Sequence, residues 1–304
     1  MQLVALDDQA NPTRARELAG MLVQDHAVVG VVGHKNSGPS AAAGEIYAGD
    51  GVAQVTPSST NTDLAQRGWP TFFRVCADND RQATVAAAYA LETLKVRRVA
   101  AVHDGTDYGH PLAEAFVSAI AQAGQQVVSV HPVQLGQRDF RDTVRRLGEA
   151  ACDLIYFGLT EIESSYLTRE LRTAGVRSHL FGADGGRQSP FPQLTGELAE
   201  GVYETYAGVD PQATAAGQAF LQAYEDRYTD CPIFGPEAYD AACILIEALR
   251  RAGVADRGEV LSEIRSVQGF SGATGPVSFQ PNGNRRDAQV TIWQVIDGQM
   301  TLLS

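Results

Sequence analysis

The chain has 304 residues, 44% of them hydrophobic and 20% charged, which suits a globular protein with room for two cores. A formal charge of −12 and a pI near 4.9 exclude the clustered basic footprint that nucleic acid requires. The nearest thing to a basic cluster, Arg141 with Arg145 and Arg146, reads as a solvated helix face.

In chain order, Leu3 to Leu6 reads as a first strand closing on Asp7-Asp8. Asn11-Pro12 then supplies a helix cap and a first-turn proline, with Ala15, Leu18, Leu22 and Val23 at helical spacing. Val28 to Thr62 holds two strand–loop–helix units in succession. The run Val28–Val32 opens into His34-Lys35-Asn36-Ser37 and a small-residue helix, and Ala53–Thr56 opens into Pro57-Ser58-Ser59-Thr60. Trp69 to Val75 leads out of this block as a short strand. From Asp80 a second series alternates helices with strands at Arg98–His103, Val127–Val133, Asp153–Phe157 and His179–Gly182. Such alternation predicts a parallel sheet built by right-handed crossovers. After a strand at Gly201–Ala207, helices are expected over 214–228, 236–252 and 258–267. Strands at Gly275–Phe279 and Asp287–Val295 follow, then a hairpin through Asp297-Gly298.

The fold class is therefore α/β, two Rossmann-like lobes with parallel sheets joined by several connecting strands. The helices and strands after 207 could return to either lobe. That arrangement predicts a hinge with a cleft between lobes.

Loops at the carboxyl ends of strands in such sheets are where small ligands bind. Ser37, Ser58 and Thr60 would bring hydroxyls and helix-start amides together, which suits an anionic group; each loop taken alone reads first as a capped polar turn, and the two together favour a site. Asp184, in a glycine-flanked loop after a strand, reads either as a partner for a cationic ligand group or as a turn aspartate. Tyr108 reads either as a ligand-stacking, hydrogen-bonding ring or as packing at a helix start.

Other chemistries lack their anchors. Gly33–Ser40 approaches the phosphate-loop pattern G-x-x-x-x-G-K-S/T, but Pro39 stands where the lysine belongs. No dinucleotide or hydrolase motif occurs in its strand–turn–helix setting. None of the six histidines has metal-ligand spacing, and His103 at a strand end reads as a satisfied rim residue before a base. The cysteines Cys76, Cys152, Cys231 and Cys243 form no Cys-x-x-Cys pair; a Cys231–Cys243 disulfide stays open beside buried free thiols. No enzyme activity, no cofactor and no metal are expected. The chain shows no membrane-spanning stretch and no secretion signal at Met1, which taken literally would mean a cytoplasmic protein.

The segments DDQANP (7–12), VVGVVGH (28–34), EIYAGDGVAQVTPSST (45–60), VAAVHDGTDYG (99–109), DFRDTVRRL (139–147), DLIYFG (153–158), LRTAGV (171–176) and FGADGG (181–186) carry a resemblance that spans nearly the whole chain. In their order and spacing the sequence resembles the branched-chain amino-acid-binding proteins of bacterial ABC transporters, the type I periplasmic binding fold. The resemblance implies lobes at 1–78 with 208–289 and at 79–207 with 290–304. It implies a monomer that captures a small amino-acid-like ligand in a cleft and delivers it to an ABC transporter permease. It implies that the loops at Asn36-Ser37 and Ser58-Ser59-Thr60 hold the ligand carboxylate and part of its ammonium. Tyr108 falls on a ligand-contacting tyrosine, Asp184 on the acid that pairs with the ammonium, and Phe234 on a side-chain pocket position.

This sequence departs from the family pattern in several places. Asp184 is one methylene shorter than the usual glutamate, and Thr160 stands where a ligand-facing aromatic is common, so the pocket is expected to be more open or more polar. The loop at Lys35-Asn36 differs and lacks the cysteine some members carry there. Leucine, isoleucine and valine are thus not assured as ligands, and another amino acid, an amide or an organic acid stays open. The family also begins with a strand, a ligand-contacting loop and a helix, roughly 40 residues, before the point matching Leu3. The N-lobe is therefore expected to lack its first strand and helix, with a signal peptide lost as well. The expected location is then the periplasm or extracellular surface. A cytoplasmic ligand sensor of the same fold is the alternative if Met1 is the true start.

Overall fold

The structure is a computed structural model that describes residues 1–185 and 190–303. Gly186 of the FGADGG stretch and Ser304 at the chain end lie outside the described residues. The chain divides into two compact units, Met1–Asp78 with Asp210–Ala288, and Asn79–Val209 with Gln289–Ser304.

The first unit opens with α1 (Pro12–Gln24), β1 (Gly30–Val32), α2 (Ser37–Asp50), β2 (Ala53–Thr56) and β3 (Phe72–Arg74). Asn11 caps α1 by accepting from the Thr13 and Arg14 amides, as the Asn-Pro signal predicts. The three strands form a parallel sheet in the order β1-β2-β3. Its central strand β2 is buried along its whole length. Ala53 and Val55 pack on Ile244, Ala248, Val260 and Ile264, while α1 and α2 close over Ala15, Ala19, Ala43 and Tyr47. Gly44 of α2 lets Trp69 lie against the helix, since a Cβ there would sit 2.4 Å from the indole ring.

The expected strand at Leu3–Leu6 does not form. These residues have no regular structure and are exposed, Leu3 at 88% and Val4 at 55%. A run becomes a strand only by pairing its N–H and C=O groups, and Leu3–Leu6 joins neither edge of the sheet β1-β2-β3. What fixes the segment's end instead is Asp8, whose Oδ2 lies 2.6 Å from His34 Nδ1.

The second unit begins with α3 (Asn79–Glu92), β4 (Arg98–His103), α4 (Gly109–Gln122), β5 (Gln126–Pro132), α5 (Arg141–Ala150), β6 (Leu154–Gly158), α6 (Glu161–Thr173) and β7 (His179–Gly182). The short α7 (Pro190–Thr195) and β8 (Tyr203–Tyr206) follow. The chain then completes the first unit with α8 (Ala215–Glu225), α9 (Gly235–Ala252), α10 (Arg257–Arg265) and the hairpin β9 (Phe270–Gly272) and β10 (Gly275–Val277). It finishes the second unit with β11 (Thr291–Ile296) and β12 (Gln299–Leu302).

The second sheet has seven strands in the order β12-β11-β8-β7-β6-β4-β5. β8, β7, β6, β4 and β5 run parallel, and the β11–β12 hairpin joins antiparallel along β8. Both faces are covered, so β6 reads as an unbroken apolar run rather than an alternation. One face packs Leu112, Phe116, Tyr156 and Phe181, the other Phe140, Leu147, Phe157 and Leu171. Phe116 stacks on Tyr156 with centroids 3.9 Å apart. The strand expected from Asp287 starts only at Thr291, after the turns that follow β10. Cys231 and Cys243 are both free, so the disulfide left open by the sequence is not formed.

Candidate functional site

In the first unit the loops after β1 and β2 are locked to one another by hydroxyl residues, the predicted Ser58 and Ser59 together with Ser40 and Thr56. Thr56 Oγ1 donates to the His34 carbonyl at 2.7 Å, and Ser59 Oγ donates to the same oxygen at 3.0 Å. Ser58 Oγ donates to the Lys35 carbonyl at 2.9 Å, and Ser40 and Ser59 share a hydroxyl contact of 2.7 Å. Ser37 Oγ accepts the Asn61 amide at 3.2 Å. Thr60 Oγ1 is buried and meets no hydrogen-bond partner among the described residues. Asn36 stands at the start of α2 without a side-chain capping bond. Ser37, Ser58, Ser59 and Thr60 are thus brought together, with most of their hydroxyls spent on building the wall.

Arg74 lies beneath this wall and was not singled out from the sequence. Only 1% exposed, its guanidinium donates to the carbonyls of Ser59 (3.0 Å) and Asn61 (2.8 Å) and to Asn284 Oδ1 (2.7 Å). Its planar fork suits several acceptors at once. The one available signal was a charged residue inside the apolar strand Phe72–Val75.

Behind the wall His34 bridges Asp8 and, at 3.3 Å, the Tyr47 hydroxyl. Burial, and then the nearby Asp8 charge, push the Tyr47 hydroxyl well above its ordinary range, so it keeps its proton. Phe234 is buried at the start of α9 with a left-handed φ of 64°, a costly conformation for an aromatic residue.

In the second unit Asp184 and Tyr108 meet. Asp184 is 3% exposed, and its Oδ1 accepts from Tyr108 Oη at 3.2 Å and from Gln82 Nε2 at 2.6 Å. Gly185 N–H donates to Tyr108 Oη at 2.8 Å. Burial first, and the Asp184 charge second, hold the Tyr108 hydroxyl well above its usual value. The phenol therefore stays protonated and spends its O–H on Asp184. Gly185 is required for this close approach: a Cβ there would lie 2.7 Å from the phenol oxygen. Glu204 is fully buried on β8, with its carboxylate where a Cβ on Gly182 would fall. Gln82 and Glu204 were likewise not anticipated.

Thr160 caps α6 in the same unit, but its hydroxyl donates to Glu163 Oε2, which also brings Glu163 Oε1 within 2.5 Å of the Gly136 amide. The polar character expected at Thr160 is thus turned onto the helix's own glutamate. Nearby Asp104 is buried, and desolvation raises its carboxyl above the usual range despite the two bonds from Thr106. His103 lies against His110 with ring centroids 4.6 Å apart and planes tilted by 37°, and accepts the Gly105 amide on Nδ1. Among the described residues no group of three His, Cys, Asp or Glu side chains is placed to hold a metal ion, and no helix is long and apolar enough to cross a membrane.

The model of the periplasmic binding protein family matches residues 1–299, so the chain belongs to that family, one of solute receptors rather than enzymes. The sequence is 27% identical over 278 residues to a Leu/Ile/Val-binding protein homolog of Brucella abortus, covering 91% of this chain and 74% of the relative. It is 29% identical over 294 residues to the leucine-, isoleucine-, valine-, threonine- and alanine-binding protein of Pseudomonas aeruginosa, covering 96% and 78%. A leucine-binding protein of Thermotoga maritima superposes with a TM-score of 0.93 at 27% identity, covering 100% of this chain and 87% of that one. A solute-binding protein of R. palustris in complex with benzoate superposes with 0.89 at 18% identity, covering 99% and 84%. The α/β fold expected from the sequence is thus the type I periplasmic binding fold.

Proposed function

We propose that this chain is the solute-binding component of an ABC transporter, working in the periplasm or at the cell surface, and that its ligand is a small α-amino acid. The fold alone does not choose the ligand, since it also serves the benzoate-binding relative. The observation that carries the choice is Asp184, a buried carboxylate just past a strand end that accepts from Gln82 and Tyr108. A buried carboxylate disfavours a plain organic acid beside it and favours a cationic group. The Ser37 and Thr60 hydroxyls, with the start of α2 at Asn36, suit a carboxylate. An amino-acid zwitterion carries both groups. Thr160 and Phe234 then contribute to the side-chain pocket, and the loaded receptor hands its ligand to a membrane permease. The relatives' names make leucine, isoleucine, valine, threonine and alanine the first amino acids to try.

Thermal shift with the twenty L-amino acids, followed by calorimetry on the best, tests this reading. At least one should raise the melting temperature, and Asp184→Asn should weaken its binding at least tenfold. Unchanged affinity in Asp184→Asn would remove the ammonium assignment.

A further inference from the structure

We infer that Thr106 is a positioning residue for ligand binding: it takes over the capping of α4 from Tyr108, so that the Tyr108 phenol is kept for holding the loop of Asp184 and Gly185. The inference takes its ligand from the amino-acid reading above and adds to it how the tyrosine beside Asp184 is set. Thr106 and Tyr108 lie between β4 and α4, and Asp184 and Gly185 follow β7, all within the second unit.

A helix begins with backbone amides that have no partner in the helix itself, and a short polar side chain at the cap position supplies the acceptor. At α4 the cap position is Tyr108, and its side chain makes no capping bond. The acceptor comes instead from two residues upstream. Thr106 Oγ1 accepts the Gly109 amide at 3.1 Å and the Tyr108 amide at 3.3 Å. A hydroxyl has one proton and two lone pairs, and here all three are placed. The proton goes to Asp104 Oδ1 at 2.6 Å, which also accepts the Thr106 amide at 3.0 Å. Asp104 is buried just past the end of β4, so this chain of bonds starts from the sheet.

The Tyr108 main chain is thereby held at its N–H by Thr106 and at its carbonyl by Asn79 Nδ2, 3.3 Å away at the start of α3. Gly109 completes the brace, since a Cβ there would collide with the Gly158 carbonyl oxygen at the end of β6. With its backbone fixed at these points, the Tyr108 ring is aimed across at the loop after β7. Its oxygen accepts the Gly185 amide at 2.8 Å and donates to Asp184 Oδ1 at 3.2 Å. A serine or aspartate at position 108 would cap α4 unaided, but so short a side chain would not reach that loop. Thr106 lets one position serve the helix start and the loop together.

The test is calorimetry on the full chain with the L-amino acid giving the largest thermal shift among the twenty, and urea denaturation of the same variants. Thr106→Val keeps the shape and loses the hydroxyl, and should weaken the amino acid about fivefold. Thr106→Ser restores the hydroxyl and should stay within about twofold of the wild type. Tyr108→Phe should weaken binding at least as much as Thr106→Val. In the Tyr108→Phe background Thr106→Val should cost no further affinity, while its cost in stability as a lost cap is the same in both backgrounds. That split separates positioning from capping alone. Equal affinity losses in the two backgrounds, no loss in Thr106→Val or in Tyr108→Phe, or a Thr106→Ser as weak as Thr106→Val would overturn the inference. Thr106→Ala carries the same cycle where Thr106→Val does not fold. Asp184→Asn separates the two levels. If it weakens binding tenfold while the Thr106→Val losses are equal in both backgrounds, only the role of Thr106 fails. If Asp184→Asn changes nothing while the cycle holds, the ammonium assignment fails and Thr106 keeps its role. If none of the twenty amino acids shifts the wild type, both fail.

Discussion

The two units present polar groups built on opposite plans. In the first, many neutral hydroxyls interlock: Thr56, Ser58 and Ser59 all donate to the carbonyls of His34 and Lys35. In the second, one carboxylate is the focus, and Gln82 and Tyr108 turn toward it. A shared network spreads its energy over many bonds, each worth about 1 kcal/mol net, whereas a buried charge concentrates several kcal/mol in one residue. Loss of any one hydroxyl should therefore be tolerated, and loss of the carboxylate should not. The sharpest way to break this contrast is Asp184→Asn set beside single hydroxyl deletions. We expect the asparagine variant to lose about 3–5 kcal/mol of amino-acid binding, measured by calorimetry. A hydroxyl deletion with an equal loss would show that the two plans do not differ as described.

The first unit also has a concentrated element, but it serves stability. Arg74 crosses from β3 to the Ser59–Thr62 backbone and to Asn284, so removing it strands several buried carbonyls at once. Arg74→Met is expected to lower unfolding stability by about 2–4 kcal/mol, read by urea denaturation. Arg74→Lys should recover little of this, because a single ammonium cannot reproduce the fork. A fully stable Arg74→Met variant would show that the hydroxyl network holds its loops without support from below.

Arg74 and Gln82 mark where reading from sequence stopped. The βα alternation was legible because each strand and helix carries its own period and caps, as Asn11-Pro12 does for α1. Ser37, Ser58–Thr60, Tyr108 and Asp184 were legible as polar residues just past strand ends. The partners that hold them were not: Arg74 meets Asn284 across 210 positions, and Gln82 meets Asp184 across 102. Within its own helix Gln82 looks like any solvated glutamine. Leu3–Leu6 failed for a related reason, since a strand is defined by a neighbour and that stretch has none in the sheet of the first unit.

A smaller effect sharpens the view of the hydroxyl wall. Ser59 is its most connected member, touching Ser40 and the carbonyls of His34 and Lys35. Ser59→Ala should cost about 1 kcal/mol of stability, and Ser58→Ala, whose hydroxyl donates to the Lys35 carbonyl, no more than that. Neither should shift amino-acid affinity by more than about threefold in calorimetry. A tenfold loss in Ser59→Ala would mean that its hydroxyl reaches the ligand rather than the wall.

The smallest expected effect concerns pH and again separates the units. His103, His131 and His179 all lie in the second unit, and burial lowers each below the ordinary histidine value of 6.5. For His103 the neighbouring His110 lowers it further, while Glu114 raises it. Below pH 6.5 the unfolded chain takes up protons that these folded imidazoles refuse, so stability falls with falling pH and is restored as pH rises through that value. Denaturation at pH 5.5 and 7.5 should show the loss on the acid side. His103→Gln should reduce it, because glutamine offers the Gly105 amide an acceptor and has no proton to gain. Asp104 acts in the opposite sense, since desolvation raises its carboxyl and folding then favours the protonated form as pH falls toward the carboxylate range. The two slopes therefore separate along the pH axis, histidine just below 6.5 and Asp104 nearer the carboxylate range. An acid-side slope unchanged in His103→Gln would assign the loss to His131, His179 or groups outside this strand end.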